Sequence, residues 1–352
     1  MISYARMLYK AFQGDILAIP GRTIAFFFLV LLCFVPLITQ EPYILLIFIY
    51  LSIFTIYAAS WDILGGFTGQ FNMGQAALFG VAAYTAAILN TNLGWAPWAT
   101  IPCGALMAVL AGLVIGVPAL RLRGVYFSLV SLAFPLILSG IVFAFGDFTG
   151  GEKGISGVSS LSQSRVLTYY ISFLAMIACV MVMWKLTDAK SALVRSGLVF
   201  RAIQEDEISA RCSGIDTTRY KLLAFVISAF FAGIAGGLYV HVLRVAGPLI
   251  LTLMWSFNPI IWTIFGGVGT IGGAVTGVFV LYPAMEVLRI VPEIRMLIYA
   301  CLIIVIVIFM PEGIVPWVRD KLEKECPRCK LVNAATRREC RACGATLYPK
   351  QV

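Results

Sequence analysis

Charge is what this chain has least of: Asp, Glu, Lys and Arg make up 12% of its 352 residues, against 61% hydrophobic. Mean hydropathy is +0.94, which excludes an ordinary soluble domain, where about a quarter of residues are charged. Histidine is scarcer still, with His241 alone. A lone histidine cannot complete an HExxH zinc motif, and no Ser/His/Asp set forms around it, which argues against an intramembrane hydrolase. No Gly-Lys-Ser/Thr follows any glycine cluster, so this chain does not bind ATP through a Walker motif. Ten-residue segments of alternating hydrophobicity are missing, which excludes a membrane β-barrel. Ionisable groups are rare within the apolar runs: Asp62, Glu286 and His241, each near a run's end and read as solvated at an interface. That scarcity argues against a self-sufficient, ion-coupled secondary transporter.

What is present is a series of uncharged apolar runs, each long enough to cross about 30 Å of hydrocarbon as a helix. They fall near 23–39, 43–63, 74–90, 96–118, 125–145, 166–186, 222–243, 256–268, 270–288 and 296–313. The expected fold is an all-α polytopic membrane protein of about ten spans, since helices satisfy their own backbone in lipid. The first run follows Arg6, Lys10 and Arg22 and has no small-residue cleavage site, so it reads as an anchored helix. Placing the N-terminus in the cytoplasm puts 21 of the 26 Lys and Arg inside. The five left outside are Lys153, Arg165, Arg244, Arg289 and Arg295. Within 256–288, "FGGVGTIGG" (265–273) breaks the run with five glycines. Two crossings keep the basic C-terminal tail cytoplasmic, and one would not. The net charge of +9 is accounted for by this inner-face bias and the tail, so nucleic acid is not implied as a partner.

Two domains are expected: a membrane part at 1–318, with one long cytoplasmic segment at 187–221, and a polar cytoplasmic tail at 319–352. The loop at 146–165, rich in Gly and Ser, reads as irregular. Spans 2–5 and 7–10 begin on opposite sides, the arrangement an inverted repeat requires. Small-xxx-small pairs such as Gly233/Gly237 and Gly273/Gly277 read as helix packing. Five cysteines are scattered, whereas Cys326, Cys329, Cys340 and Cys343 form two CxxC knuckles ten residues apart. Four thiolates at that spacing suit one tetrahedral Zn²⁺, and a reducing cytoplasm favours metal over disulfides. A tail this short buries too little apolar area to fold alone, so the metal would supply its stability.

Six stretches in order resemble the LivM-type permease of branched-chain amino acid ABC importers. They are "GGFTGQFNMGQAALFGVAAYTAAIL" (65–89), "PALRLRGVYFSLVSLAF" (118–134), "FTGGEKGISG" (148–157), "RAIQEDEISARCSGIDTTRYKLLAFVISAFFAGIAGGLY" (201–239), "FGGVGTIGGAVTG" (265–277) and "FMPEGI" (309–314). The resemblance spans about 40–315. It implies a type II ABC importer permease fold in the cell (cytoplasmic) membrane, no enzymatic activity, and ATP bound by partner subunits. Those partners are a LivH-type second permease, two ABC ATPases and an extracytoplasmic substrate-binding protein, in contact with membrane lipid. The alternative substrates in such systems are urea or short-chain amides. Asp62 and the zinc-ribbon-like tail depart from the family pattern.

The resemblance also assigns sites. The 187–221 loop becomes the ATPase-coupling segment. There the spacing predicts one amphipathic helix over 201–213, with Val199, Ala202, Ile203 and Ala210 on one side. Its apolar side is expected in the ATPase cleft, with Arg201, Glu205, Asp206 and Glu207 as rim charges. Gly214 is expected to end the helix, and Asp216 or Thr217 to cap the next. The translocation path is expected along the fifth and tenth spans, lined by Phe127, Ser128, Ser131, Phe134, Ser139 and Tyr299.

Overall fold

The computed structural model describes residues 20–120, 122, 124–188, 196–291, 294, 297–298, 300–301, 304, 308–329, 332–340 and 342–347. Within it the chain divides into two units, Glu41–Gly313 and a second made of residues 1–40 with 314–352. The second unit takes in the first helix as well as the tail, whereas the sequence reading kept 1–318 together. Tyr299 and part of the expected tenth span lie outside the described residues.

The larger unit is built from helices α2 (Pro42–Gly65), α3 (Gln75–Leu93), α4 (Pro97–Ala119), α5 (Val125–Ala144) and α6 (Arg165–Thr187), followed by two short helices, α7 (Ser196–Glu205) and α8 (Glu207–Cys212). Then come α9 (Thr217–Leu243), α10 (Leu253–Gly266) and α11 (Ile271–Val287). Proline opens α2 and α4, where its missing N–H costs nothing. Seven described helices are long and apolar enough to cross a membrane. Helix α10 is not among them: its 14 residues reach about 21 Å.

The core is α2 and α9, each with 72% of its apolar window buried, packed together and flanked by α3 and α4. Small residues make this possible. A Cβ on Gly233 would lie 2.6 Å from the Ala105 Cα of α4, and one on Gly237 would lie 3.2 Å from Ile101 Cα. The 233/237 pair is therefore the seam along which α9 meets α4. Helices α5, α6 and α11 bury only 28%, 33% and 33% of their windows.

The 256–288 run is two antiparallel legs. Gly267 (φ 124°) and Gly269 (φ 72°) turn the chain between them, backbone angles that side chains with a Cβ resist. The return leg approaches so closely that a Cβ on Gly277 would collide with the Trp262 carbonyl. The loop expected to be irregular contains a strand, β1 (Ile155–Ser156), paired antiparallel with β2 (Val245–Ala246) just after α9. Arg244 between them takes a left-handed turn (φ 65°) while its Nε donates to the Val158 carbonyl at 3.3 Å.

In the second unit, α1 (Pro20–Ile38) and α12 (Ile314–Leu322) accompany a small antiparallel ribbon. Its strands are β3 (Glu323–Glu325) and β4 (Val332–Ala334). The Gly21 N–H of α1 donates to Glu323 Oε1 at 3.0 Å, and Lys321 Nζ sits 3.6 Å over the Trp317 ring.

Candidate functional site

The segment 196–217 is a corner of two helices, which corrects the single helix expected over 201–213. The break is at Asp206, extended at φ −155°, ψ 110°. Its Oδ1 accepts from the Ile208 and Ser209 N–H groups at 2.7 and 3.0 Å, starting α8 as an N-cap. Those backbone donors, Ser209 first, hold the carboxyl below the usual aspartate range. Gly214 follows the end of α8 with φ 83°, and Asp216 caps α9 by accepting from the Arg219 N–H, both as expected.

The facing of two residues is the reverse of the expectation. Ile203 is 3% exposed and Ala210 5%, so half of the expected docking stripe is covered by this chain itself, while Val199 and Ala202 are half-buried. Glu207 turns inward: Oε2 accepts from Lys221 Nζ at 2.5 Å, and Oε1 from Arg211 at 2.6 Å and Thr217 at 3.2 Å. Burial alone would raise this carboxyl; the bond to Lys221 and the charges of Lys221 and Arg211 outweigh it and hold it low. Arg201 and Glu205 stay exposed, Arg201 with its guanidinium 5.7 Å from the Phe67 ring centroid. The apolar side chains this segment leaves outside are Leu198 and Ile208. A cleft of about 350 Å³ opens between Arg211, Asp216 and Thr217.

On α5, Phe127, Ser128 and Ser131 are buried, while Phe134 and Ser139 are half-buried. Ser128 Oγ donates to the Phe71 carbonyl at 2.7 Å, and Ser131 Oγ accepts from the Met73 N–H at 2.9 Å. These hydroxyls tie α5 to the α2–α3 loop. The loop leads into a buried polar hub that sequence reasoning missed. Asn72 Nδ2 donates to Gln75 Oε1 at 2.9 Å, and Gln75 Nε2 reaches Ser60 and Ser228 at 3.0 and 3.2 Å. Trp61 Nε1 donates to the Asn72 carbonyl at 2.6 Å. The "NMGQ" motif thus joins α2, α3 and α9 through groups that lipid would leave unsatisfied.

Asp62 and His241 are fully buried, correcting the interface-solvated reading. Asp62 Oδ1 accepts from the Gly269 N–H at 2.8 Å, pinning the α10–α11 turn to α2. His241 Nδ1 donates to the Ser159 carbonyl at 2.8 Å, and its Nε2 shares a hydrogen bond of 2.7 Å with the Thr100 hydroxyl.

A cavity of about 310 Å³ lies among α2, α9, α10 and α11, toward the ends where α2 begins and α9 finishes. Its walls are aromatic: Phe54 is within 5.1–6.2 Å, centroid to centroid, of Tyr50, Tyr239, Trp255, Trp262 and Tyr282. Asn258 and Glu286 are its other polar members.

In the ribbon, the four predicted cysteines converge, their sulfurs all within 4.8 Å of one another. Cys326 and Cys343 are 3.5 Å apart, as are Cys329 and Cys340, spacings that suit sulfurs about 2.3 Å from one zinc. Backbone N–H groups of Ala342 and Cys343 push the Cys340 thiol down to about 6, and that of Cys329 lowers Cys326. Gly344 turns with φ 68° after the second knuckle.

Seven long apolar helices with a buried polar hub among them describe a multi-pass membrane protein. Residues 43–307 match the family described as "Branched-chain amino acid transport system / permease component", and the chain belongs to that family. It is 30% identical to the high-affinity branched-chain amino acid transport system permease protein LivM of Escherichia coli K12, over 82% of this chain and 72% of that protein. The LivM protein of Salmonella typhimurium is 29% identical over 79% of this chain and 71% of its own. The LivH permease of E. coli K12 is 25% identical over 78% and 94%. No solved structure matches the chain.

Proposed function

We propose that this chain is the membrane-spanning permease subunit of an ATP-binding-cassette importer for branched-chain amino acids. It forms one half of the translocation path in the cell membrane, with both termini cytoplasmic. The observation that carries the reading is the family match over 43–307, joined to likeness with LivM and LivH proteins alike. Such double likeness fits a pair of related permeases, and the weakly buried α5, α6 and α11 leave apolar faces for that partner and for lipid. One of two cytoplasmic ATPases docks at the 196–217 corner, the ATPases bind the ATP, and an external binding protein delivers the solute.

At the corner, Arg201, Glu205, Leu198 and Ile208 face the ATPase, while Asp206 caps α8 and Ile203 and Glu207 hold the corner to α9. Phe134 and Ser139 on α5 stay half-exposed and face the path. Phe127, Ser128 and Ser131 shape its wall from behind. In the tail, Cys326, Cys329, Cys340 and Cys343 hold one zinc, which cross-links two knuckles that share little other core.

The test is reconstitution in liposomes with a LivH-type permease, both ATPases and the binding protein. Uptake of leucine, isoleucine and valine is expected to require ATP and the binding protein, with urea and acetamide excluded. Uptake driven by an ion gradient without the ATPases overturns the reading in favour of a secondary transporter.

A further inference from the structure

The turn that ends α2 touches two parts of the molecule that the roles above keep separate. On one side it meets α7 of the corner. The Arg201 guanidinium lies 5.7 Å from the Phe67 ring centroid, and a Cβ on Gly69 would sit 3.8 Å from Gln204 Cα. Phe67 is itself buried, so its ring is a fixed part of that turn. On the other side lies the turn between α10 and α11. There a Cβ on Gly66 would come within 2.5 Å of the Gly269 nitrogen, so the two turns meet backbone to backbone.

Asp62 ties the two sides together. Its backbone carbonyl accepts from the Gly66 and Phe67 N–H groups at 2.7 and 2.9 Å. Its Oδ1 accepts from the Gly269 N–H, among the described residues the one hydrogen bond from 267–270 to an element other than α10 and α11. Its Oδ2 is buried and makes no hydrogen bond among the described residues. A buried carboxyl with one oxygen unpaired costs more than its single bond returns, and an apolar side chain would pack α2 better. Stability therefore does not explain the residue. What the carboxyl supplies is a grip on Gly269, which has no side chain by which packing could hold it.

We propose that Asp62 is a positioning residue for transport, passing displacement of the ATPase-docking corner to the α10–α11 hairpin. Coupling between distant parts travels through packed side chains and hydrogen bonds of this kind. As α7 shifts with its ATPase, Phe67 and the turn beside it follow, and the carboxyl draws Gly269 along. The Glu207–Lys221 pair gives the corner a separate outlet, into α9. The inference rests on the importer reading and adds to it a route by which ATP hydrolysis reaches α10 and α11.

The experiment uses the assembled complex in liposomes, with leucine uptake and ATP hydrolysis measured on the same vesicles. Amide exchange of residues 265–273 is followed without nucleotide and with a non-hydrolysable ATP analogue. In the wild type, exchange of that segment is expected to differ between the two states. Asp62→Ala should cut the leucine imported per ATP hydrolysed by about tenfold, with 265–273 exchanging fast in both states. Asp62→Asn keeps the Oδ1 acceptor and should restore both the yield and the difference in exchange, which a residue serving only to fill space would not require. Normal yield in Asp62→Ala, or no rescue by Asp62→Asn in a complex that elutes intact, overturns the proposal. The wild type tests it without any substitution. A wild-type complex that imports leucine with ATP yet shows the same 265–273 exchange in both states overturns the relay alone. One whose uptake needs no ATP overturns the importer reading and the relay together.

Discussion

The 41–313 unit and the cysteine ribbon keep their shape by opposite means. The larger unit buries dozens of apolar side chains and lets glycine and alanine bring α9 against α3 and α4. The ribbon has a three-residue strand pairing and a core of Cys326, Cys340 and Leu347. One buried leucine is worth about 1.5–3 kcal/mol, far below the conformational entropy of some twenty-five residues at about 1–2 kcal/mol each. Apolar burial can therefore explain the bundle and cannot explain the ribbon. The zinc proposed on the four sulfurs would supply the difference.

The largest expected effect follows directly. A structural zinc in such knuckles contributes on the order of 10–16 kcal/mol, so chelation, or Cys326→Ser with Cys340→Ser, should unfold residues 323–347. Amide hydrogen exchange of the full chain is expected to show that segment exchanging like an open chain while 41–313 keeps its protection. Retained ribbon protection after complete metal removal would break the comparison.

Within the larger unit, the contrast is between polar groups that hold a corner and those that hold a core. Glu207→Gln strands Lys221, whose side chain is 4% exposed. Breaking a buried pair costs about 3–5 kcal/mol, and the partial exposure of Glu207 reduces this to about 2–3. Lys221→Met should cost less, because Glu207 keeps Arg211 and Thr217. Thermal unfolding of the purified complex checks both, and equal losses would show the pair to be incidental. Next comes Gln75→Leu, which removes the partner of Asn72 and leaves the Ser60 and Ser228 hydroxyls one neighbour short. The expected loss is about 1–3 kcal/mol, read by the same melting curves.

These cases also show what the sequence could reveal. The ribbon was legible because metal chemistry lives in local spacing, and four cysteines predicted from it do converge. The corner was legible in place and not in shape. The run Glu205-Asp206-Glu207 reads as surface charge, yet each residue does something different: one is exposed, one caps a helix, one pairs with Lys221. Asp is itself a preferred N-cap residue, and Asp206 within the run could have marked the break. The hub and the aromatic cavity were invisible for a better reason. Gln75 meets Ser228 across 153 residues, and the cavity draws on four helices, so no window of sequence contains either. Asp62 and His241 sit near the ends of apolar runs, where sequence alone places them in solvent. Burial there depends on the α10–α11 turn and the 155–159 loop, which only the tertiary fold places.

The smallest effect is expected at Asp206, and it separates a capping carboxylate from a merely exposed one. Its folded-state pKa is lowered by the Ser209 and Ile208 N–H groups, so the charged form is the one the fold favours. The sign follows: the cap's contribution is complete above the ordinary aspartate pKa of about 3.9 and is lost as pH falls through the lower folded value. Asp206→Ala should therefore speed amide exchange at Ile208 and Ser209, relative to wild type, at about pH 7. The difference should shrink toward nothing as pH falls through that lowered value, where the wild type loses the charge as well. Global melting should hardly change, because the cap serves one exposed six-residue helix. A difference that persists undiminished at low pH would mean that α8 begins at Asp206 for reasons of packing, with the carboxylate a bystander.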